Sequence, residues 1–159
     1  MSERVSKLFL PDDDSWLRHA NPWSIWTRFI TLPFLMLAIW SRAWIGWYCL
    51  IPIIILVVWI FLNPRLFSKP THFNSWGSRA VLGEQIYIRR KKNQNLGKHK
   101  TPILILTLLQ IVGVVFLLYG LWRFYLYHTV YGMTVVYLSK MWFLDRMVWL
   151  HADEQNENA

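Results

Sequence analysis

An uncharged run from Ile45 to Leu62 constrains this chain more than any other stretch. Twelve of its residues are Leu, Ile, Val or Phe, which favours the hydrocarbon phase by roughly 4–7 kcal/mol. A second run, Pro102 to Trp122, holds fourteen such residues and no charge. Each is long enough to cross a ~30 Å hydrocarbon core as a helix. Two weaker runs accompany them. Pro22 to Trp40 has eight Leu, Ile, Val or Phe, with Arg28 near one end and Pro33 inside. Phe124 to Ser139 has only six, with His128, Thr129 and Thr134 among them. The turns within each pair are short, Ser41 to Trp44 in the first and Arg123 in the second. The expected class is therefore all-α and integral to a membrane: four transmembrane helices, about 22–40, 45–62, 102–122 and 124–139, in two hairpins. The whole chain, 1–159, is expected to form one membrane domain.

A polar segment, 63–100, separates the hairpins and carries nine of the seventeen Lys and Arg residues. Within it, Asn74 to about Arg89 reads as an amphipathic helix lying at the interface. Trp76, Ala80 and Tyr87 fall near one stripe, which Val81, Leu82, Ile86 and Ile88 broaden. Arg89 to Lys100 reads as a solvated basic loop. Asn63-Pro64 is expected to end the second span, since the residue before a proline is pushed out of the helical region, and Pro52 is expected to bend it. Residues 1–20 and 151–159 read as tails, the second acidic and disordered.

With four spans, both tails and the central segment share one side. The other side shows only Arg42 and Arg123. Positive charge stays inside, so the central segment and both termini are expected in the cytoplasm, beneath a cell (inner) membrane. Tryptophans agree with that threading: Trp40, Trp44, Trp47 and Trp122 fall at the outer level, and Trp23, Trp26, Trp59, Trp76, Trp142 and Trp149 at the inner.

At 55% hydrophobic residues, with eleven Trp, the chain has more apolar surface than a soluble interior of this size can hide. Its formal charge of +8 collects in one segment with no recognised nucleic-acid motif. Membrane lipids with anionic headgroups are the expected partner, and nucleic acid is not. Cys49, the lone cysteine, reads as a small hydrophobe in an apolar run.

Charged residues gather at the inner ends of the weak spans: Arg28, Lys140, Asp145 and Arg146, joined by Arg79 and Glu84 of the interfacial helix. Asp145 and Glu84 are the only acids between Asp14 and Asp153. One reading is a salt-bridge lattice pairing Arg79 with Asp145 and Glu84 with Arg146. The other is a polar pocket for an anionic or lipid-like ligand. A triplet also occurs twice, His19-x-Asn21-x-Trp23 and His72-x-Asn74-x-Trp76. Helix capping explains much of it. A metal or headgroup site shared by His19 and His72 would lack the Cys or carboxylate that zinc or iron ligation needs, so no metal or cofactor is expected. His128 and Gln110 suit packing roles, and Gly113 suits helix contact. Walker, GxGxxG, GxSxG, HExxH and CxxC patterns are absent.

The run His19-Ala20-Asn21-Pro22-Trp23-Ser24, with Trp26 and Arg28, resembles a small prokaryotic multi-pass membrane family known only as a domain of unknown function. So do Trp40-Ser41-Arg42 with Trp44-Ile45-Gly46-Trp47, Asn63-Pro64-Arg65, Trp76 with Arg79 and Gly83-Glu84, and Lys140 with Trp142 to Met147. The resemblance covers nearly the whole chain. It implies a short polytopic membrane protein and no particular reaction. Three functions stay open: a non-enzymatic module binding anionic lipid or a partner protein at its cytoplasmic face, a small membrane enzyme acting on a lipid-like or anionic substrate at the inner interface, and a homo-oligomeric transporter or channel.

Overall fold

The computed structural model describes residues 17–92 and 96–157, and Lys92 by its backbone alone. Most of the N-terminal tail, residues 1–16, and positions 93–95 of the basic loop lie outside the described residues. All regular structure among the described residues is helical. The chain divides into two compact units, 1–77 and 78–159.

In the first unit, α1 spans Pro22–Trp40. Its start follows from local chemistry. Asn21 is the N-cap and its side chain accepts from the Trp23 N–H at 2.9 Å, while Pro22 takes the first position, where no N–H is needed. Ahead of it, a short turn brings the Asn21 N–H to the Arg18 carbonyl at 3.0 Å. A short α2 (Arg42–Ile45) and a 3-10 turn (Gly46–Cys49) then reverse the chain into α3, Leu50–Leu66. Gly46 has φ +56°, a left-handed conformation natural to glycine. The second helix therefore begins five residues later than expected. Pro52 falls in its first turn, where a missing N–H costs nothing, so it has no cause to bend the helix.

The stop expected at Asn63-Pro64 does not occur. Pro64 lies inside the helix, and Asn63 is fully buried and clasped from α1. Its Oδ1 accepts from Ser24 Oγ at 2.7 Å and its Nδ2 donates to Thr27 Oγ1 at 2.8 Å. Asn21 Nδ2 reaches further along, to the Ser68 carbonyl at 2.9 Å. These bonds hold the last turn against α1 and outweigh the local preference before proline. Hydroxyls that would otherwise be stranded in apolar surroundings bond back one turn: Thr27 to Trp23, and Thr31 to Thr27, both at 2.7 Å.

The second unit contains most of α4 (Trp76–Lys92), a 3-10 turn (Gly97–His99), α5 (Lys100–Arg123) and α6 (Leu126–Glu157). Phe124, at φ 55°, caps α5 by donating its N–H to the Gly120 carbonyl, and the chain turns back on itself. The two long helices then approach until a side chain between them would not fit. A Cβ on Gly120 would stand 2.4 Å from the Thr129 nitrogen, and one on Gly132 would stand 2.4 Å from the Leu117 nitrogen. Small residues at both positions let the two backbones approach this closely.

Two expectations fail in this unit. The helix α4 does not offer its apolar face to a headgroup layer. Ile86 and Tyr87 are buried in a core with Ile103, Met147 and Leu150, and a Cβ on Gly83 would meet the Met147 carbonyl oxygen at 1.9 Å. Nor is the acidic end a disordered tail. α6 continues to Glu157, held by ion pairs described below. Residues 158–159 lie outside the described residues.

Candidate functional site

Two helices and one turn build the charged end of the second unit. On α4, Glu84 and Arg90 are half-buried, and on α6, Lys140 is half-buried. Lys140 Nζ donates to Glu84 Oε1 at 2.9 Å and lies 5.0 Å from the centre of the Phe143 ring. Phe143 in turn meets Tyr87 edge-on at 5.9 Å. The pairing drawn from sequence, Glu84 with Arg146, is thus replaced by Glu84 with Lys140. Arg146 instead places its guanidinium 5.5 Å from the Trp149 ring centre, and its Nε is buried without a hydrogen-bond partner among the described residues. Asp145 is half-buried beside it, and Arg79 is exposed. Five of the six expected cluster residues, Arg79, Glu84, Lys140, Asp145 and Arg146, belong to this unit.

The sixth, Arg28, belongs to the first unit. Its Nη1 lies 2.7 Å from Nε2 and 2.9 Å from Nδ1 of His19, and its Nε donates to the Ser24 carbonyl at 2.9 Å. Asn21 is the helix cap described above. His72 and Asn74 are exposed before α4, which starts at Trp76, so the repeated triplet is not a structural repeat. Trp23 is the second residue of its helix and Trp76 the first.

A group that sequence reasoning missed lies at the far end of α6. Asp153, Glu154 and Glu157 meet three basic residues from the segment read as a solvated loop. Arg90 Nε donates to Glu154 Oε2 at 2.8 Å, a second guanidinium nitrogen of Arg90 also reaches Glu154, and Arg90 Nη2 reaches Glu157 Oε2 at 2.5 Å. Asp153 Oδ2 takes Lys98 Nζ and His99 Nε2, each at 2.8 Å. His99 is only 4% exposed. Hydrogen bonds from Lys98 and then His99 hold the Asp153 carboxyl below its usual range. Burial works against the charge on Arg90, but the bonds and charges of Glu154 and Glu157 outweigh it, and its pKa is raised. His151, one turn from these acids, is pushed down by burial and by nearby Arg79, with Glu154 opposing. The available signal was the acid spacing 153, 154, 157, which repeats within one helical turn.

These groups surround an open cleft of about 460 Å³ lined by Arg90, Leu96, Lys98, His99, Asp153 and Glu157. A guanidinium, an ammonium and an imidazole line it, and each is engaged by a carboxylate of α6. Among the described residues no three His, Cys, Asp or Glu side chains are grouped as a metal site would require.

Two helical stretches, Pro22–Leu66 and Gly97–Arg123, are long and apolar enough to cross a membrane, with mean hydropathies of 2.6 and 2.5 in their most apolar windows. No curated protein and no solved structure matches the chain. A family model, described as a family of unknown function (DUF6653), matches residues 1–159. The chain belongs to that family.

Proposed function

We propose that this chain crosses the cell membrane four times, as two helical hairpins joined by a basic cytoplasmic segment that binds anionic lipid headgroups. The observation that supports this best is the surface of α3 and α5. Ile51, Ile54, Ile55 and Val58 are exposed on the first, and Leu104, Leu108, Ile111, Val115 and Leu118 on the second. A contiguous apolar face of that kind is covered by lipid or protein, not by water. The weaker helices enter as halves of hairpins. α1 is tied to α3 through Ser24, Thr27 and Asn63, which satisfies its polar groups internally. The first half of α6 lies along α5 at Gly120 and Gly132. Arg89 and Lys91 are exposed at the end of α4, and Lys98 and Lys100 next to and at the start of α5, and each cation near an anionic surface contributes about 1 kcal/mol.

In intact cells, with Cys49 replaced by Ala, a membrane-impermeant maleimide is expected to label Trp44→Cys and Tyr127→Cys. It is expected to reach Lys91→Cys only after permeabilisation. Native mass spectrometry of the purified protein is expected to retain anionic phospholipid, and less of it once Arg89, Lys91 and Lys100 are changed to Gln. External labelling of Lys91→Cys overturns the threading, and undiminished lipid retention overturns the role of the basic segment.

A further inference from the structure

Arg90 comes from the last turn of α4, and Lys98 and His99 from the turn before α5, yet all three open on the same cleft. Their donors are of the kinds that bind an oxyanion: a guanidinium edge, an ammonium and a ring N–H. Carboxylates from the last two turns of α6 now fill those positions. Their grip is uneven. His99 is buried, whereas the Glu157 side chain is 62% exposed. Glu157 also stands in the final turn, where backbone carbonyls lack helical partners and the helix frays first. With the acids in place, three carboxylates face Arg90, Lys98 and His99, leaving no surplus positive charge to draw an anion inward. Once Glu154 and Glu157 swing away, the cations exceed the one remaining acid.

We propose that this cleft is a site for a phosphate group, held closed by Asp153, Glu154 and Glu157 acting as built-in substitutes for the ligand. The inference rests on the anionic-lipid reading above and deepens it. Exposed Arg89, Lys91 and Lys100 meet the anionic surface first, and a phosphate then displaces the acidic end of α6. The phosphate is either that of a lipid headgroup or a free ion. The two share the same recognition chemistry, because the donors read oxygens and charge alone.

The test uses the full chain in nanodiscs of phosphatidylcholine, of phosphatidylcholine with phosphatidylglycerol, and of phosphatidylcholine with inorganic phosphate added to the buffer. Phosphatidylglycerol is expected to speed amide exchange at residues 150–157 and to leave 106–121 unchanged. The same effect from inorganic phosphate without phosphatidylglycerol assigns the free ion as the ligand, and its absence assigns the headgroup. The Glu154→Gln/Glu157→Gln double variant is expected to bind phosphatidylglycerol about fivefold more tightly, the scale of two partly exposed ion pairs that no longer compete. Glu157→Gln alone, at an exposed side chain, is expected to gain a smaller factor with its helix content intact. If the wild type and both variants bind phosphatidylglycerol equally and exchange at 150–157 does not respond, the cleft is a structural ion-pair cluster. Binding through Arg89, Lys91 and Lys100 would survive that result. Failure of the wild type to retain any anionic lipid overturns the broader reading and removes the headgroup as the ligand of the cleft; if inorganic phosphate then also leaves exchange at 150–157 unchanged, the cleft proposal falls with it.

Discussion

Glu84 and Lys140 lie 56 residues apart in sequence and 2.9 Å apart in space. Lys140 is partly exposed, so the bond is screened and contributes about 0.2–1 kcal/mol, the range of such pairs. If the pair is a scaffold, Glu84→Gln and Lys140→Gln each lower stability in detergent by about that amount. The double variant then loses little more than either single one, because the same bond is already gone. Losses that add in full show that the two side chains serve different partners. Which single residues matter was only half legible in the sequence. Asn21 announces itself, since a cap and a proline at the first position are local signals. Asn63 does not. Its partners, Thr27 and Ser24, lie 36 and 39 residues upstream, and the neighbouring Pro64 gives a local signal in the wrong direction.

The helix α6 runs for 32 residues, about 48 Å at 1.5 Å per residue. On the proposed threading a hydrocarbon core of about 30 Å takes up some twenty of them, and the remaining turns then need support from protein. Their sequence, polar and acidic from His151 onward, carries no local reason to stay helical. Support comes from Arg90, Lys98 and His99, which belong to another element. That is why the acidic end and the basic loop were each read as solvated when read alone. The same holds for α4, whose apolar stripe was visible but whose cover, Met147 and Leu150, was not.

A pH dependence follows for this element. Asp153 titrates below its usual range in the folded protein. Its contribution is therefore present above the unfolded value and is lost as pH falls through the depressed one. His151 titrates below 6.5 because burial and Arg79 disfavour its charge. The unfolded chain takes up that proton first, so folding weakens as pH drops below 6.5. Both groups act in the same direction. Hydrogen exchange corrected for intrinsic rates is expected to show residues 150–157 loosening in two acid steps while 106–121 stay protected. His151→Gln removes the earlier step and leaves the later one. A profile unaltered by His151→Gln assigns all the acid sensitivity to the carboxylates.

For the chain as a whole, threading rests on the uneven distribution of charge. Nine cations lie in 63–100, against Arg42 and Arg123 in the turns of the two hairpins. Each hairpin returns the chain to the side it left, so one bias orients all four proposed crossings and no single loop decides alone. Equalising the bias should therefore scramble orientation without disturbing either hairpin internally. Changing Arg89, Lys91 and Lys100 to Gln takes the central count from nine to six. Placing Lys at Trp44, Trp47, Trp122 and Tyr127, whose rings are all exposed, takes the turn count from two to six. A carboxy-terminal fluorescent protein that matures only in the cytoplasm, compared with an alkaline phosphatase active only outside, reads the outcome. The unaltered chain is expected to give fluorescence alone. The equalised chain is expected to give both signals, since the charge difference that selects one insertion has been removed while the apolar runs that drive insertion remain. Fluorescence alone from the equalised chain means that something other than loop charge sets the orientation. The aromatic residues at Trp23, Trp26 and Trp149 are then the next determinant to vary, because the proposed threading puts them at the level where indole rings anchor a helix.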